Sequence, residues 1–185
     1  GEDVLSLNTG TSAWNTSNFT NTVDNYTSSF SAVTDLNSSI NSNFDWLIAG
    51  TNTLYTNTQL TFISEFMNSG GNIFIAGEAS IYSAERNAAN QLLDYLGSSI
   101  DVVDSVFSGT SSALIANAYT SGAPSFSYGY SANLNGGTGL YGVNDTYYNV
   151  AFEDFSVSVS VPEPSSVALL GLGLAGLGFS RRKSK

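Results

Sequence analysis

The sequence feature that most constrains the fold is the order of apolar patterns between Asp45 and Gly97. Residues 44–49 and 72–76 are short, largely apolar runs of the length that buried strands have, and a glycine follows each run. A segment with helical spacing comes after each of them. Apolar strands that alternate with helices over short connections predict an α/β fold with a parallel sheet.

Two helices are predicted within this block. Thr58 can cap the first helix, and its apolar residues form one stripe that stops before Gly70 and Gly71. That stripe consists of Leu60, Ile63, Phe66 and Met67. The second helix is predicted over residues 83–96, because Gly97 follows a run with apolar residues on one side.

Weaker patterns extend the prediction on both sides. Residues 3–8 predict a strand, residues 19–30 a helix and residues 31–36 a second short strand. Residues 105–149 have no long helical period, and residues 152–161 predict a last, half-exposed strand. The predicted fold class is α/β: an open, mostly parallel sheet flanked by helices, followed by a β-rich C-terminal portion.

Three regions are predicted along the chain. Residues 1–104 form the α/β region, and residues 105–161, rich in Gly, Ser and Tyr, complete the same domain. Residues 162–185 are a separate tail. The chain starts at Gly1 without a methionine, which fits either the removal of a signal peptide or a fragment boundary.

The composition excludes several kinds of chemistry. The chain has no cysteine and no histidine, which excludes disulfides, thiolate or imidazole zinc sites, and catalysis by Ser-His-Asp or Cys-His groups. Residues 1–161 hold fourteen acidic residues and one basic residue, Arg86. Phosphate backbones repel such a body, so nucleic-acid binding is excluded. We predict no metal site and no cofactor.

The tail has three parts in a fixed order. Pro162, Glu163 and Pro164 come first, and an apolar, uncharged run follows within residues 165–180. Residues 181–185 are basic, with Arg181, Arg182 and Lys183 at their start. The apolar run is short for a transmembrane helix, which needs about 20 residues. Cations at its end mark the cytoplasmic side of a membrane.

This order resembles the PEP-CTERM sorting signal of Gram-negative bacteria. The resemblance implies that an exosortase recognises and cleaves the tail near residues 162–164, after a stage in which the C-terminal helix lies in the inner membrane. It also implies delivery to the cell surface or to the extracellular exopolysaccharide matrix. Pro162, Glu163 and Pro164 would then be a processing site for another enzyme.

Residues 44–50 and 66–78 resemble the class I glutamine amidotransferase-like (flavodoxin-like) superfamily, in which a strand, a helix, a Gly-Gly turn and a second strand lead to a nucleophile. Glu78 or Ala79 stands where that superfamily has its cysteine. The resemblance therefore implies the fold without the catalytic residues, and no catalytic residue is assigned.

Glu78 is still expected at the carboxyl end of a central strand, where open α/β sheets place ligands. With Asp45 it forms a speculative ligand site; the alternative is a carboxylate that stabilises a helix N-terminus. The pair Glu85 and Arg86 is expected to be solvated.

The tyrosines between residues 119 and 148 could stack on sugars, or they could pack a β-rich region. The predicted function is that of a non-enzymatic surface or matrix protein. The alternatives are an envelope hydrolase that uses carboxylates near Glu78, and a carbohydrate-binding module.

Overall fold

The structure is a computed structural model that describes residues 2–9, 27–37, 43–75, 82–116, 118, 120–144 and 147–155. Gly1–Asp154 forms one compact unit and Phe155–Lys185 a second. The described strands are β1 (Asp3–Thr9), β2 (Ser29–Val33), β3 (Trp46–Thr51), β4 (Asn72–Ile75), β5 (Asp101–Val102), β6 (Phe107–Ala113), β7 (Ser125–Ser131), β8 (Leu134–Asn135), β9 (Thr138–Asn144) and β10 (Tyr147–Phe152). The described helices are α1 (Asn57–Asn68) and α2 (Ser83–Leu96).

The first four strands form a parallel sheet in the order β2-β1-β3-β4. Leu5 of β1 lies opposite Leu47 of β3, and Leu47 lies opposite Ile73 of β4. The chain moves outward from β1 in one direction to reach β2 and in the other to reach β3. This is the strand order of doubly wound sheets, which bind ligands where the direction reverses, here beside the carboxyl ends of β1 and β3.

One face of the parallel sheet carries the main core. Successive residues of a strand point to opposite faces, so Leu5 and Leu7 share a face with Leu47 and Ala49. These four residues are buried in one cluster with side chains of both helices. The helical members of that cluster are Leu60, Ile63, Phe66, Ala88 and Leu92. Val4 and Ile48, which point to the opposite face, are buried as well, and this explains why the apolar runs of β1 and β3 do not simply alternate with polar residues.

Helix α1 begins slightly earlier than its sequence pattern predicted. Thr56 is the N-cap residue: its Oγ1 accepts a hydrogen bond from the Gln59 backbone N at 3.3 Å, and the Gln59 side chain returns a contact to the Thr56 backbone N at 2.9 Å. This reciprocal pair is a capping box. The prediction that Thr58 caps the helix was wrong, because only Thr56 has Gln three residues after it.

Helix α2 lies between two cores. Ala88 and Leu92 belong to the core on the parallel sheet, whereas Ala89 and Leu93 form a second cluster with Val102 and Ala132. The helix ends at Gly97, whose φ of 73° is left-handed, as its position in the sequence predicted. Helix α2 therefore joins the parallel sheet to the second half of the domain.

The second half is a separate antiparallel sheet in the order β5-β8-β10-β9-β6-β7. The predicted parallel sheet and the predicted β-rich C-terminal portion are both confirmed, and the C-terminal strands form an antiparallel sheet of their own. Parallel strands need long crossover connections, usually helices. The connections between β6 and β10 are too short for them, so these strands pair antiparallel.

Two predicted elements change at their boundaries. A helix was expected over residues 19–30, yet Ser29 and Phe30 lie in β2; residues 19–26 of that predicted helix are outside the described residues. The last strand was expected over residues 152–161, but β10 ends at Phe152 and residues 156–161 are not described. The predicted tail helix is also outside the described residues. Within the described part of the chain, no helix has the length and apolar character that crossing a membrane requires.

Candidate functional site at the carboxyl edge of the parallel sheet

The carboxyl edge of the parallel sheet is where this strand order places a ligand. Thr51 is the last residue of β3, and Asn52 follows it. The Asn52 side-chain oxygen is buried, and it has no hydrogen-bond partner in the described structure. A buried acceptor of this kind costs stability unless something donates to it.

A polar network lies at the same edge of the sheet. The Gln59 side chain is buried, and its Nε2 donates to Asp35 Oδ1 at 3.1 Å. Asp35 follows β2, and its Oδ1 also accepts from the Leu36 backbone N at 2.9 Å. Because Gln59 also completes the cap of α1, one side chain connects the end of β2 to the start of that helix.

A second amide continues the network toward α2. Gln91 Oε1 accepts from the Tyr55 backbone N at 2.7 Å, and Gln91 Nε2 donates to the Tyr55 backbone O at 3.2 Å. The Gln91 amide thus forms the same two hydrogen bonds with the Tyr55 backbone that a residue of a neighbouring β-strand would form. The Tyr55 ring is buried, and this burial raises the pKa of the Tyr55 hydroxyl above its ordinary value.

The chemistry that these described residues can perform is hydrogen bonding. The amides of Gln59 and Gln91 and the carboxylate of Asp35 are used to hold backbone segments together. At this edge of the sheet, Asn52 offers a buried acceptor without a partner among the described residues. Within the described residues, no three or more His, Cys, Asp or Glu side chains are grouped to hold a metal ion.

Asp45 lies at the other end of the sheet. Its Oδ2 accepts from the Asp3 backbone N at 2.9 Å, and its own backbone N donates to the Asp3 O at 2.8 Å. It precedes β3, whose six residues span roughly 20 Å. Glu78 follows β4 in the chain and lies outside the described residues. A site shared by Asp45 and Glu78 stays a prediction, and the placement of Asp45 counts against it.

Arg86 has a different partner from the one its sequence neighbour suggests. Its Nη1 contacts Asp104 Oδ1 at 2.5 Å, so that it links α2 to the segment after β5. The expectation of a solvated Glu85–Arg86 pair is replaced by this ion pair. Arg86 is the basic residue of the otherwise acidic body, and it is used to join two elements of the fold.

The described tyrosines are mostly packed. Phe126 lies between Tyr141, at a ring-centroid distance of 5.1 Å, and Tyr128, at 5.9 Å. Tyr141 is buried, and its hydroxyl donates to the Ala123 O at 2.6 Å. The Tyr148 hydroxyl donates to the Gly136 O at 2.8 Å. These contacts support packing over an open sugar-stacking surface. Tyr119 lies outside the described residues, and so do the side chains of Tyr130 and Tyr147.

Glu153 connects the end of the antiparallel sheet to the loop after α2. Its Oε2 accepts from Ser98 Oγ at 2.6 Å and from the Ser99 backbone N at 2.9 Å. The hydrogen bond from Ser98 is the main reason why the pKa of the Glu153 carboxyl lies below its ordinary value of 4.5. The folded state therefore stabilises the charged form of the Glu153 carboxyl.

Glu153→Gln is expected to lower the free energy of unfolding by about 1 kcal/mol at pH 7, because a charged acceptor is replaced by a neutral one. The pKa of Glu153 is lower in the folded state than in the unfolded state. Its contribution to the free energy of unfolding is therefore fully present above the unfolded-state pKa. It is lost as the pH falls through the folded-state pKa. Urea unfolding at pH 7 and in acid measures this, with the exposed neighbour Asp154→Asn as control. An equal loss in both variants at pH 7 would refute the role of Glu153.

Sequence reasoning missed most of these polar links. Gln59 could have been found, because Thr56 and Gln59 have the spacing of a capping box before an apolar run. Asn90, Gln91 and Glu153 carry no such signal, since their partners are 12, 36 and 55 residues away in the chain.

Comparison with known proteins bears on the tail. Residues 160–183 match the family model of the PEP-CTERM protein-sorting motif. The match confirms the predicted sorting signal, and it defines a class: exported proteins that pass through the membrane to the cell surface and have exosortase as their processing partner. Pro162, Glu163, Pro164, Arg181, Arg182 and Lys183 all fall within the matched segment, which lies outside the described residues.

The comparisons do not support the superfamily that was predicted for residues 1–161. No curated protein and no solved structure gave a significant match to the chain. The resemblance of residues 44–50 and 66–78 to the amidotransferase-like superfamily therefore stays a prediction, and it concerns the fold alone.

Proposed function

We propose that residues 1–161 are a non-enzymatic component of the bacterial cell surface or extracellular matrix, and that the tail delivers them there. Exosortase would cleave near residues 162–164 after the apolar run of residues 165–180 has entered the inner membrane. The basic residues 181–185 would stay on the cytoplasmic side. The match of residues 160–183 to the sorting motif carries this proposal.

The use of polar side chains in the body supports a structural role. Asp35, Asp45 and Glu153 each accept hydrogen bonds from backbone N–H groups, and Arg86 is paired with Asp104. Catalytic carboxylates are instead placed in clefts, with environments that shift their pKa toward the task. The envelope hydrolase depends on Glu78, and no described residue favours it. The tyrosines are packed, so no described residue specifically favours the carbohydrate-binding module.

The double variant Pro162→Ala, Glu163→Ala is expected to block processing. The motif residues are what the exosortase would recognise, so the uncleaved chain should accumulate in the inner membrane, and release to the surface should fall at least tenfold. Fractionation and immunoblotting of the producing bacterium measure both forms, which differ in mass by the tail.

The matched control is Ser165→Ala, Ser166→Ala, two substitutions directly beside the motif. This control should be processed like the unsubstituted chain. Undiminished release of the double variant would overturn the sorting proposal. A folded body that reaches the surface and hydrolyses envelope polymers would overturn the non-enzymatic role while leaving the sorting role intact.

A further inference from the structure

The two edges of the antiparallel sheet differ in how they are covered. At the β5 edge, Asn90 of α2 pairs with the strand backbone: its Oδ1 accepts from the Val102 N at 2.8 Å, and its Nδ2 donates to the Val102 O at 3.0 Å. Strand β7 is the opposite edge. No described strand or side-chain amide covers the outer side of β7. An open strand edge is a template for another strand.

Strand β7 lies in a neutral part of an acidic chain. Residues 105–144 contain no charged residue, although residues 1–161 hold fourteen acids. Natural sheet edges are usually protected by a charge or a proline within the strand. Strand β7 has neither, since Pro124 precedes it. Two copies of the chain can therefore bring their β7 edges together without repulsion between charges on those strands.

The sequence of β7 is complementary to itself. From Ser125 to Ser131 it reads Ser-Phe-Ser-Tyr-Gly-Tyr-Ser, an alternation of small and aromatic residues. In a two-fold antiparallel pair, residues that lie opposite each other point to the same face. Every register of that kind sets aromatic residues opposite aromatic ones and small residues opposite small ones. Aromatic pairs across strands stabilise a sheet.

The pairing of β7 with β6 favours one of these registers. It is regular from Ser125 to Tyr128 and shifts before Ser131. The middle of this stretch lies between Phe126 and Ser127, and an axis at Phe126 would set Pro124, which has no backbone N–H to donate, opposite Tyr128, so the axis at Ser127 is favoured. Ser127 then lies opposite the same residue of the second copy, and Phe126 lies opposite Tyr128.

We propose that two copies of this chain associate through antiparallel pairing of β7, centred on Ser127, so that their antiparallel sheets become continuous. The proposal concerns a partner of the body and does not depend on how the tail is processed. A protein concentrated at a surface or in a matrix would be held at concentrations that favour such pairing.

A cysteine cross-link tests the geometry. The chain has no cysteine, so Ser127→Cys introduces a single thiol. Opposite Cα atoms in an antiparallel pair are about 4.5–5.5 Å apart, within the range that a disulfide spans. Mild oxidation of the full chain in detergent should convert most of the Ser127→Cys protein to a covalent dimer.

Thr110→Cys is the matched control. Thr110 of β6 lies opposite Ser127, and their hydroxyls are 3.0 Å apart, so either substitution removes the same contact from the same exposed face. The two copies of Thr110 would lie about 14 Å apart, because each strand adds about 4.8 Å. Disulfide formation should therefore be at least tenfold lower than in Ser127→Cys.

A charge on the edge provides a second test. Ser127→Lys should shift the chain to monomer in sedimentation velocity, because like charges then face each other, whereas Thr110→Lys should leave association unchanged. The tail is common to all variants, so only differences between them report on β7. A monomer at every concentration, equal cross-linking of the two cysteine variants, or an equal effect of the two lysines would overturn the proposal. Coverage of the edge by residues 156–161 of the same chain would produce the first of these results.

Discussion

Gly136→Ala is expected to destabilise the domain more than the same substitution at Gly97 or Gly122. Gly136 has a left-handed φ of 74°, which costs an L-residue about 1–2 kcal/mol. A Cβ at this position would also lie 1.7 Å from the backbone O of Ser99. Backbone cannot move aside as a side-chain tip can, so overpacking adds about 1–3 kcal/mol. Thermal or urea unfolding should show a total loss of about 3 kcal/mol or more.

Two other glycines separate the cost of the left-handed φ from the cost of overpacking. Gly97 has a similar φ of 73° but nothing within 4 Å of an added Cβ, so Gly97→Ala should show the cost of strain alone. Gly122 has open space and no left-handed φ, so Gly122→Ala should be nearly neutral. The expected order of destabilisation is Gly136, then Gly97, then Gly122. Equal losses at Gly136 and Gly97 would show that the loop before β9 does not pack against Ser99.

Leu92→Ala is expected to cost about 3 kcal/mol. Its side chain has 0% exposure in the core between α2 and the parallel sheet. Removing a fully buried leucine leaves a cavity as well as losing the transfer free energy, and such changes cost about 2–5 kcal/mol. Urea unfolding followed by circular dichroism measures the loss.

The control for Leu92 is Leu54→Ala, since Leu54 is 59% exposed. It should change the free energy of unfolding by less than about 0.5 kcal/mol. Leu93→Ala tests the second core, because Leu93 packs with Val102 and Ala132. If Leu92→Ala were as mild as Leu54→Ala, α2 would not lie on the parallel sheet as described.

The elements with strong local patterns were predicted correctly. Strand β4 and helix α2 have the expected type and nearly the expected bounds, because an apolar run or a stripe followed by glycine is a local signal. Pairing is not a local signal. The stretch from β6 to β10 was expected to be β-rich, but nothing in a single strand indicates which neighbour it joins or in which direction.

The candidate site was harder to predict than the fold. The rule that ligands bind at the carboxyl edge of a doubly wound sheet led to Glu78, whereas the polar residues that the structure describes there are Asp35, Asn52 and Gln59. Each comes from a different part of the chain. A side chain that bonds to a distant group leaves no periodic trace in the sequence, so its role becomes visible only when those parts are brought together.

The sequence by itself determined the sorting tail, the α/β pattern of residues 45–97 and the exclusion of histidine and cysteine chemistry. Each of these depends on the order or the identity of nearby residues. The tertiary structure decided that α2 lies between two cores, that Asp45 lies at the amino end of the parallel sheet, and that β7 is an edge strand of the described antiparallel sheet. These depend on contacts between residues far apart in the chain, and such contacts form only because burying apolar surface offsets the entropy lost in closing the intervening loops.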